Sequence, residues 1–407
     1  MKSSSGSLLK SLFKSIALVI FGCLLAFGLA TLLLMAMPRL VFGATEYSQR
    51  ISPSQTLQID FKPADGDLFA AMPNSIRPPA DNISLAQFTI RWDADGFRAP
   101  AQTYPDYPIA VFGDSFTEGF NVAMPYADVV AAALGRGVYN YGYRAYGPTE
   151  VAAAAQQFAP SPEREWVLYG YFSGNDLGDT VRPPKVDTST VGGVWQALFD
   201  RLNPPLTDPY RLPPRDQYDF PKPVIIGSRY YDLAFLWYYW WWQRVPDAEQ
   251  GAFLESVNVR TLSDALDRIA ASAPEACKAL IFIPTKEQLY YPYIYETERQ
   301  WILGAANTLV LDEAGAIRII PEPMREDEEA DFIDSLYGQH ALIQALLERK
   351  PDWAFIDLLP ALEDAAGRGE LLYYAYDTHW NQAGHQLAGE VIAQALQDTA
   401  LRDASCG

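Results

Sequence analysis

The stretch Ile109-Ala110-Val111-Phe112-Gly113-Asp114-Ser115-Phe116-Thr117-Glu118-Gly119 decides how the chain is read. An apolar run of strand-forming residues stops at a Gly-Asp-Ser corner, and turn and helix-start residues follow. Ligand sites of open parallel sheets lie beyond the carboxyl ends of the strands. A corner of this kind therefore holds one serine hydroxyl where a nucleophile would be useful. Gly, Asp and Ser are also the commonest turn residues, so the corner gains meaning only from its partners elsewhere.

Working outward, the alternation of elements sets the fold class. Tyr126 to Leu134 has helical spacing and stops at Gly135 and Gly137, as glycine C-caps do. Val138-Tyr139-Asn140 reads as a short strand, Pro148 opens an alanine-rich helix through about Phe158, and Trp166 to Tyr171 is a buried strand. After an interruption the pattern resumes with a helix over 256–271, a strand over 279–284, helical segments over 296–306 and 332–348, and a strand over 353–358. Asn381 is placed to cap a closing helix. Strand and helix in turn predict a parallel sheet with helices on both faces. Upstream, Phe88 to Trp92 alternates as a strand and Asp93 to Arg98 forms a turn.

The flanking segments differ in kind. No charged residue stands between Lys14 and Arg39, and the run Ile16 to Met37 is long enough as a helix to cross a hydrocarbon core of about 30 Å. Lys2, Lys10 and Lys14 outweigh Arg39, which places the N-terminus in the cytoplasm and the body outside. The competing reading, a cleaved signal peptide, lacks a clean Ala-x-Ala site. The domains expected are a tip and anchor over 1–44, a connector and strand over 45–100, and an α/β domain over 101–407 with an insertion at about 180–250. That insertion contains Tyr230 to Trp242, an aromatic run that suits a site mouth, stacking on sugar rings, a membrane-interface belt or a buried helix.

Composition narrows the function classes. The chain of 407 residues is 49% apolar and 20% charged, as packed globular proteins are. Its net charge is −19, and since residues 1–50 hold five basic side chains and one acid, the remainder carries −23. A field this negative repels nucleic acid. Cys23, Cys277 and Cys406 are too few and too scattered for a disulfide framework or a zinc site, and His340, His379 and His385 cannot build a His-rich metal cluster. No metal or cofactor is expected.

Four loops at the predicted carboxyl edge carry polar groups. Ser115 needs a base, and the base needs a third group to orient it; Asp377-Thr378-His379 supplies both. Ser173-Gly174-Asn175-Asp176 supplies an amide able to donate to an oxyanion. Lys286 and Glu287 follow a strand and are candidates to border the pocket. Glu118 sits in a first helical turn, where the dipole alone favours acids. His385 reads as structural, and His340 has no acidic neighbour in sequence suited to orient it.

With these pieces in place the chain resembles the SGNH/GDSL hydrolase superfamily in its membrane-anchored bacterial form. The resemblance rests on Gly113-Asp114-Ser115-Phe116, on Asn140-Tyr141-Gly142 to Gly147-Pro148, on Gly174-Asn175-Asp176 and on Asp377-Thr378-His379-Trp380-Asn381 with Gly384-His385. These fall in the family's order over roughly 105–400. The resemblance implies a three-layer flavodoxin-like fold, Ser115 as nucleophile, His379 as base and Asp377 as its orienting acid. It also implies an oxyanion hole made from the Ser115 N–H, a second-block N–H and Asn175. The second-block glycine position holds Ala145, with Gly142 and Gly147 as near alternatives. Gly142, Gly147, Lys286 and Trp380 are the candidate substrate contacts. The Asp-x-His spacing is similar to the Asp-Thr-His-Trp of alginate O-acetyltransferase proteins.

The function expected is therefore a membrane-tethered, extracytoplasmic serine esterase acting on an acyl or acetyl ester, notably of a glycan. A polysaccharide O-acetyltransferase using the same residues is the alternative within that chemistry. A non-catalytic glycan-binding or export protein is the alternative outside it. The partners expected are an acylated small molecule or polysaccharide, the inner membrane and exopolysaccharide assembly proteins.

Overall fold

The computed structural model describes residues 5–36, 56–61, 86–180, 191, 195, 222–226, 229–246, 249–375, 377–398 and 406. The chain divides into two compact units, one of residues 1–49 with 183–211, the other of residues 50–182 with 212–407. In the first, α1 (Ser5–Ala36) contains most of the uncharged run. Trp195 stacks on Phe27 of α1 at 4.7 Å and donates to Thr31 Oγ1 at 2.9 Å. Among the described residues no helix is long and apolar enough to cross a membrane, so the spanning helix expected over Ile16 to Met37 is not found there.

The strands of the second unit are, in chain order, β1 (Thr56–Phe61), β2 (Ala86–Arg91), β3 (Ile109–Gly113), β4 (Val138–Gly142), β5 (Trp166–Phe172), β6 (Lys222–Ile226), β7 (Arg229–Leu233), β8 (Cys277–Ile283), β9 (Asn307–Leu311), β10 (Ile317–Pro321) and β11 (Trp353–Asp357). Much of the expected connector lies outside the described residues, but β1 pairs antiparallel with β2, Thr56 opposite Arg91. Five strands form one parallel sheet in the order β11-β8-β5-β3-β4. Counted along the chain from the β4 edge that order is 2-1-3-4-5, the flavodoxin-like winding, whose switch point falls between the first and third strands. Here those are β3 and β5, so the Ser115 corner leaves the sheet at its switch point.

Side-chain alternation along β3 divides the core. Ile109 and Val111 share a cluster with Tyr126, Ala127 and Val130 of the helix Tyr126–Leu134 and with Ala388 and Ile392 of the helix Gln382–Gln397. Phe112 stacks on Tyr141 of β4, and Tyr141 on Phe158 at the end of the helix Pro148–Phe158. Because both faces are covered, β3, β5 and β8 are buried at every position, which is why they read as unbroken apolar runs rather than alternating ones.

Two further features depart from the sequence reading. The segment after residue 306, with no element assigned by periodicity, is the hairpin β9–β10. The three cysteines, too scattered for a framework, nonetheless make one bridge, Cys277–Cys406. Cys277 opens β8, and the chain end returns to it across 129 residues, a closure that spacing does not reveal. The aromatic run resolves in favour of the buried-helix reading. Trp237–Trp242 is a short helix, and Tyr239, Trp240, Trp241 and Trp242 are all buried.

Candidate active site

Asp114 starts the corner by capping it. Its carboxylate accepts from the Phe116 N–H at 2.9 Å, and Ser115–Glu118 forms a single helical turn ended by Gly119 in the left-handed region. This turn leaves Ser115 partly exposed while Asp114, Phe116, Thr117 and Glu118 are buried. Opposite it, Tyr373 and Trp380 pair in an antiparallel bridge and the Tyr374 N–H donates to the His379 carbonyl, so residues 373–380 form a tight loop. That loop brings His379 Nε2 to 2.8 Å from Ser115 Oγ. His379 Nδ1 lies 2.7 Å from Asp377 Oδ1, which also accepts the His379 backbone N–H at 2.9 Å.

The electrostatics follow from this enclosure. Burial works to lower the His379 pKa, but the charge and hydrogen bond of Asp377, with Asp114 and Glu118 behind, outweigh it and hold the imidazole above its usual value. Burial works to raise Asp377, yet the pull of His379 and then of Lys286 prevails and holds the carboxyl below the ordinary range. Asp114 has no such partner strong enough: burial pushes it up to about 6, against the opposing Phe116 N–H and His379.

The register of the sheet brings the second and third loops to the same edge, since Gly113 lies opposite both Gly142 and Gly170. Ala145, three residues past Gly142, sits at φ 64°, a conformation that L-residues with a Cβ adopt rarely. Backbone N–H groups on either side hold the loop in shape. Those of Gly142, Tyr143, Arg144, Tyr146 and Gly147 donate to Asn140 Oδ1, the Gly113 carbonyl, Glu118 Oε2, the Tyr143 carbonyl and Glu150 Oε2. In the third loop Asn175 starts the turn Asp176–Asp179 and makes no side-chain cap. Its Oδ1 is buried without a hydrogen-bond partner.

Of the candidate substrate contacts, all four stand behind this group rather than at its surface. A Cβ on Gly142 would come within 2.6 Å of Thr117 Cβ, so this glycine makes room for the Ser115 turn. Gly147 is the buried N-cap of the helix Pro148–Phe158. Trp380 is fully buried, with its ring edge-on to Phe116 at 5.2 Å. Lys286 is 1% exposed, and its Nζ donates to the carbonyls of Tyr374, Ala375 and Asp377. Glu118 is likewise buried, held by Arg144.

The other histidines separate cleanly. His340 does have an acidic partner, contrary to the sequence reading: its Nε2 lies 2.8 Å from Asp357 Oδ2, at the end of β11. His385 is fully buried and accepts from the Tyr126 N–H at 3.2 Å; burial, with Arg98 and His379 nearby, lowers its pKa to about 3. It is thus a neutral acceptor at the start of a helix.

Several supporting residues gave no signal in the sequence. Arg98 reaches from the turn before β3 to the carbonyls of Gly119, Val122 and Ala123, closing the segment after the Ser115 turn. Asn121 in that segment donates to the Trp380 carbonyl at 3.2 Å and accepts from Tyr374 OH through its own carbonyl at 2.7 Å. The Ser115 and His379 loops are therefore bonded directly to each other. Phe120 stands edge-on to the His379 ring at 5.1 Å. The aromatic helix backs the Asn175 loop: Gln243 donates to the Ser173 carbonyl at 2.9 Å, and a Cβ on Gly178 would meet the Trp242 ring at 2.6 Å. A cavity of about 560 Å³ opens elsewhere, among Arg244, Thr308, Glu322, Met324 and Asp331, and none of the site residues lines it.

A strand-edge serine bonded to an Asp-oriented histidine, on a 2-1-3-4-5 sheet, defines a class of α/β hydrolase. The chain belongs to the GDSL-like Lipase/Acylhydrolase family, whose profile matches residues 111–387. The chain is also similar to several solved structures. One is phospholipase A1 from Streptomyces albidoflavus NA297, at 13% identity over 71% of this chain and 98% of that one, TM-score 0.38. Another is a member of the lipolytic protein G-D-S-L family from Veillonella parvula DSM 2008, at 12% identity over 70% and 96%, TM-score 0.33. The third is a carbohydrate esterase family 2 enzyme with its carbohydrate-binding domain from Corynascus thermopiles (Myceliophthora fergusii), at 13% identity over 77% and 71%, TM-score 0.32. None of the curated proteins compared matches the chain.

Proposed function

We propose that the protein is a membrane-tethered, extracytoplasmic serine esterase that cleaves an acyl or acetyl ester, of a glycan in the first instance. The observation that carries the chemistry is the continuous relay from Ser115 Oγ to His379 Nε2 at 2.8 Å and from Nδ1 to Asp377 at 2.7 Å. Ser115 attacks the ester carbonyl carbon as His379 takes its proton. The oxyanion then accepts hydrogen bonds from the Ser115 and Ala145 N–H groups and the Asn175 side-chain amide. Collapse breaks the ester C–O bond, His379 returns the proton to the leaving alcohol, and Ser115 keeps the acyl group. Water activated by His379 releases the acid. A sugar hydroxyl in the place of that water would make the same enzyme an O-acetyltransferase, the reading favoured by Asp377-Thr378-His379-Trp380.

The tether is supported by α1, on which Leu18, Val19, Ile20, Phe21, Leu24 and Leu25 are each more than half exposed. An apolar surface of that kind needs a cover, and lipid provides one. The outside placement is supported by Lys2, Lys10 and Lys14 before the run and by the Cys277–Cys406 bridge, since such bridges persist in oxidising compartments. The glycan assignment rests on the Asp-Thr-His-Trp likeness and the tether; the aromatic run lends it nothing, because Tyr239 to Trp242 are inside the core.

The test is release of acetate from acetylated polysaccharides and from short-chain acyl esters by the detergent-solubilised full chain. Acetate release lost in Ser115→Ala and in His379→Ala supports the esterase. Acetyl groups moved to an added acceptor glycan, without free acetate, would replace it with the transferase. Saturable glycan binding with neither product would replace both with the binding protein.

A further inference from the structure

Lys286 is a buried cation beside the Ser115–His379–Asp377 relay and is not itself a member of it. It follows β8 at the carboxyl edge of the sheet, at the start of a short helix, Lys286–Tyr290, that Thr285 caps. Its ammonium donates to the carbonyls of Tyr374 at 3.1 Å, Ala375 at 3.4 Å and Asp377 at 2.8 Å. These acceptors all belong to the loop bounded by the Tyr373–Trp380 bridge. The carbonyls thus converge on one point inside the loop, and the ammonium occupies it. Phe235 packs over the ammonium at 5.7 Å, and the Ala234 N–H donates to the Ala375 carbonyl at 2.8 Å from the same side.

A buried charge is costly unless its hydrogen bonds are satisfied. A lysine carries three donors, and this one meets three carbonyls in a loop that ends at the histidine. We propose that Lys286 is a positioning residue of the relay: its ammonium holds the Tyr374, Ala375 and Asp377 carbonyls so that Asp377 meets His379, and it acts through Asp377 alone. The inference rests on the catalytic reading of Ser115, His379 and Asp377 given above. It accounts for where the cation stands: the lysine bonds the Asp377 carbonyl at 2.8 Å, while Asp377 Oδ1 meets the His379 Nδ1 and backbone N–H.

The experiment is a double-mutant cycle on the full chain, read by the second-order rate of covalent labelling with a fluorophosphonate probe, with thermal unfolding recorded for every variant. Lys286→Met is expected to slow labelling by about 100-fold, the size of effect that a displacement of about 1 Å in a catalytic group produces. Lys286→Arg, which keeps charge and donors, is expected to recover at least part of that loss. In an Asp377→Asn background Lys286→Met is expected to change the rate by less than about 3-fold, because residues that act as a unit are non-additive. Equal losses in the two backgrounds, or a Lys286→Met rate within about 2-fold of the parent, would overturn the proposal. If Lys286→Met does not fold, Lys286→Gln is judged by the same criteria. Labelling of Ser115→Ala at the parent rate would instead overturn the catalytic reading itself.

Discussion

Arg144 closes on Glu118 through its backbone N–H at 2.9 Å, its Nε at 3.0 Å and a terminal guanidinium nitrogen at 2.5 Å. The pair ties the Ser115 turn to the loop that carries Ala145. Its two members are unequally placed, since the Glu118 side chain is 1% exposed and that of Arg144 is 40% exposed. Removing the arginine side chain leaves a buried carboxylate with the residue-144 N–H alone, whereas neutralising the glutamate leaves a cation that water can reach. Arg144→Ala is therefore expected to cost about 1–3 kcal/mol and Glu118→Gln distinctly less. Urea denaturation of the two variants checks the order; equal costs would mean that the pair is not governed by burial of the acid.

Ala145 at φ 64° carries a cost that glycine would not. The left-handed conformation disfavours an L-residue by about 1–2 kcal/mol, while glycine returns about 0.4–1 kcal/mol through the freer unfolded chain. Ala145→Gly is expected to leave stability unchanged or raise it by up to about 1 kcal/mol. Ala145→Val, β-branched at the same φ, is expected to lower it by more than about 1 kcal/mol. Thermal unfolding measures both, and a destabilised glycine variant would contradict the observed backbone.

The pH dependence of activity follows from His379. As a base it must be neutral, and its pKa is held above 6.5. Rate is expected to rise with pH through a midpoint above 6.5, and Asp377→Asn to move that midpoint down by removing the charge that raises it. Stability runs the other way. A raised histidine contributes fully below 6.5 and loses its contribution as pH climbs through the folded value, while the lowered Asp377 contributes above 3.8 and loses it on acidification through its folded value. The pair thus stabilises most between those two values, on the acid side of the activity. A labelling rate that falls as pH rises from 6 to 8 would contradict the base assignment.

Cys277–Cys406 joins the central sheet to the chain end. Bridges that close long loops typically contribute about 2–4 kcal/mol, so Cys277→Ser is expected to lower the free energy of unfolding by that much under oxidising conditions. In a reductant strong enough to open the bridge, parent and variant should coincide. A difference that persists there would assign the loss to packing at the start of β8 instead.

The sequence made the candidate site legible where single loop residues stand at the sheet edge. Ser115, Asn175, Asp377 and His379 each follow a strand or precede a helix, and their types imply their chemistry. What it hid are the residues whose meaning is a distance. Lys286 looks like a solvated loop lysine until the carbonyls of Tyr374, Ala375 and Asp377 gather on its ammonium. His340 lacks a partner in its own helix and finds one 17 residues on, at Asp357. Tyr239 to Trp242 are apolar on all sides and so show no amphipathic face to read. Only Gly178 beneath Trp242 and Gln243 on Ser173 reveal that the insertion supports the Asn175 loop. Arg98 reads as part of a turn, yet it closes the segment that follows the serine.

The most direct test of the account is the intact mass of the folded full chain after fluorophosphonate treatment at pH 8, with peptide mapping of any adduct. One adduct on Ser115, absent from Ser115→Ala and strongly slowed in His379→Ala, is the predicted result. A folded parent protein that gains no mass, or gains it on another residue, would contradict the claim that Ser115 is an activated nucleophile.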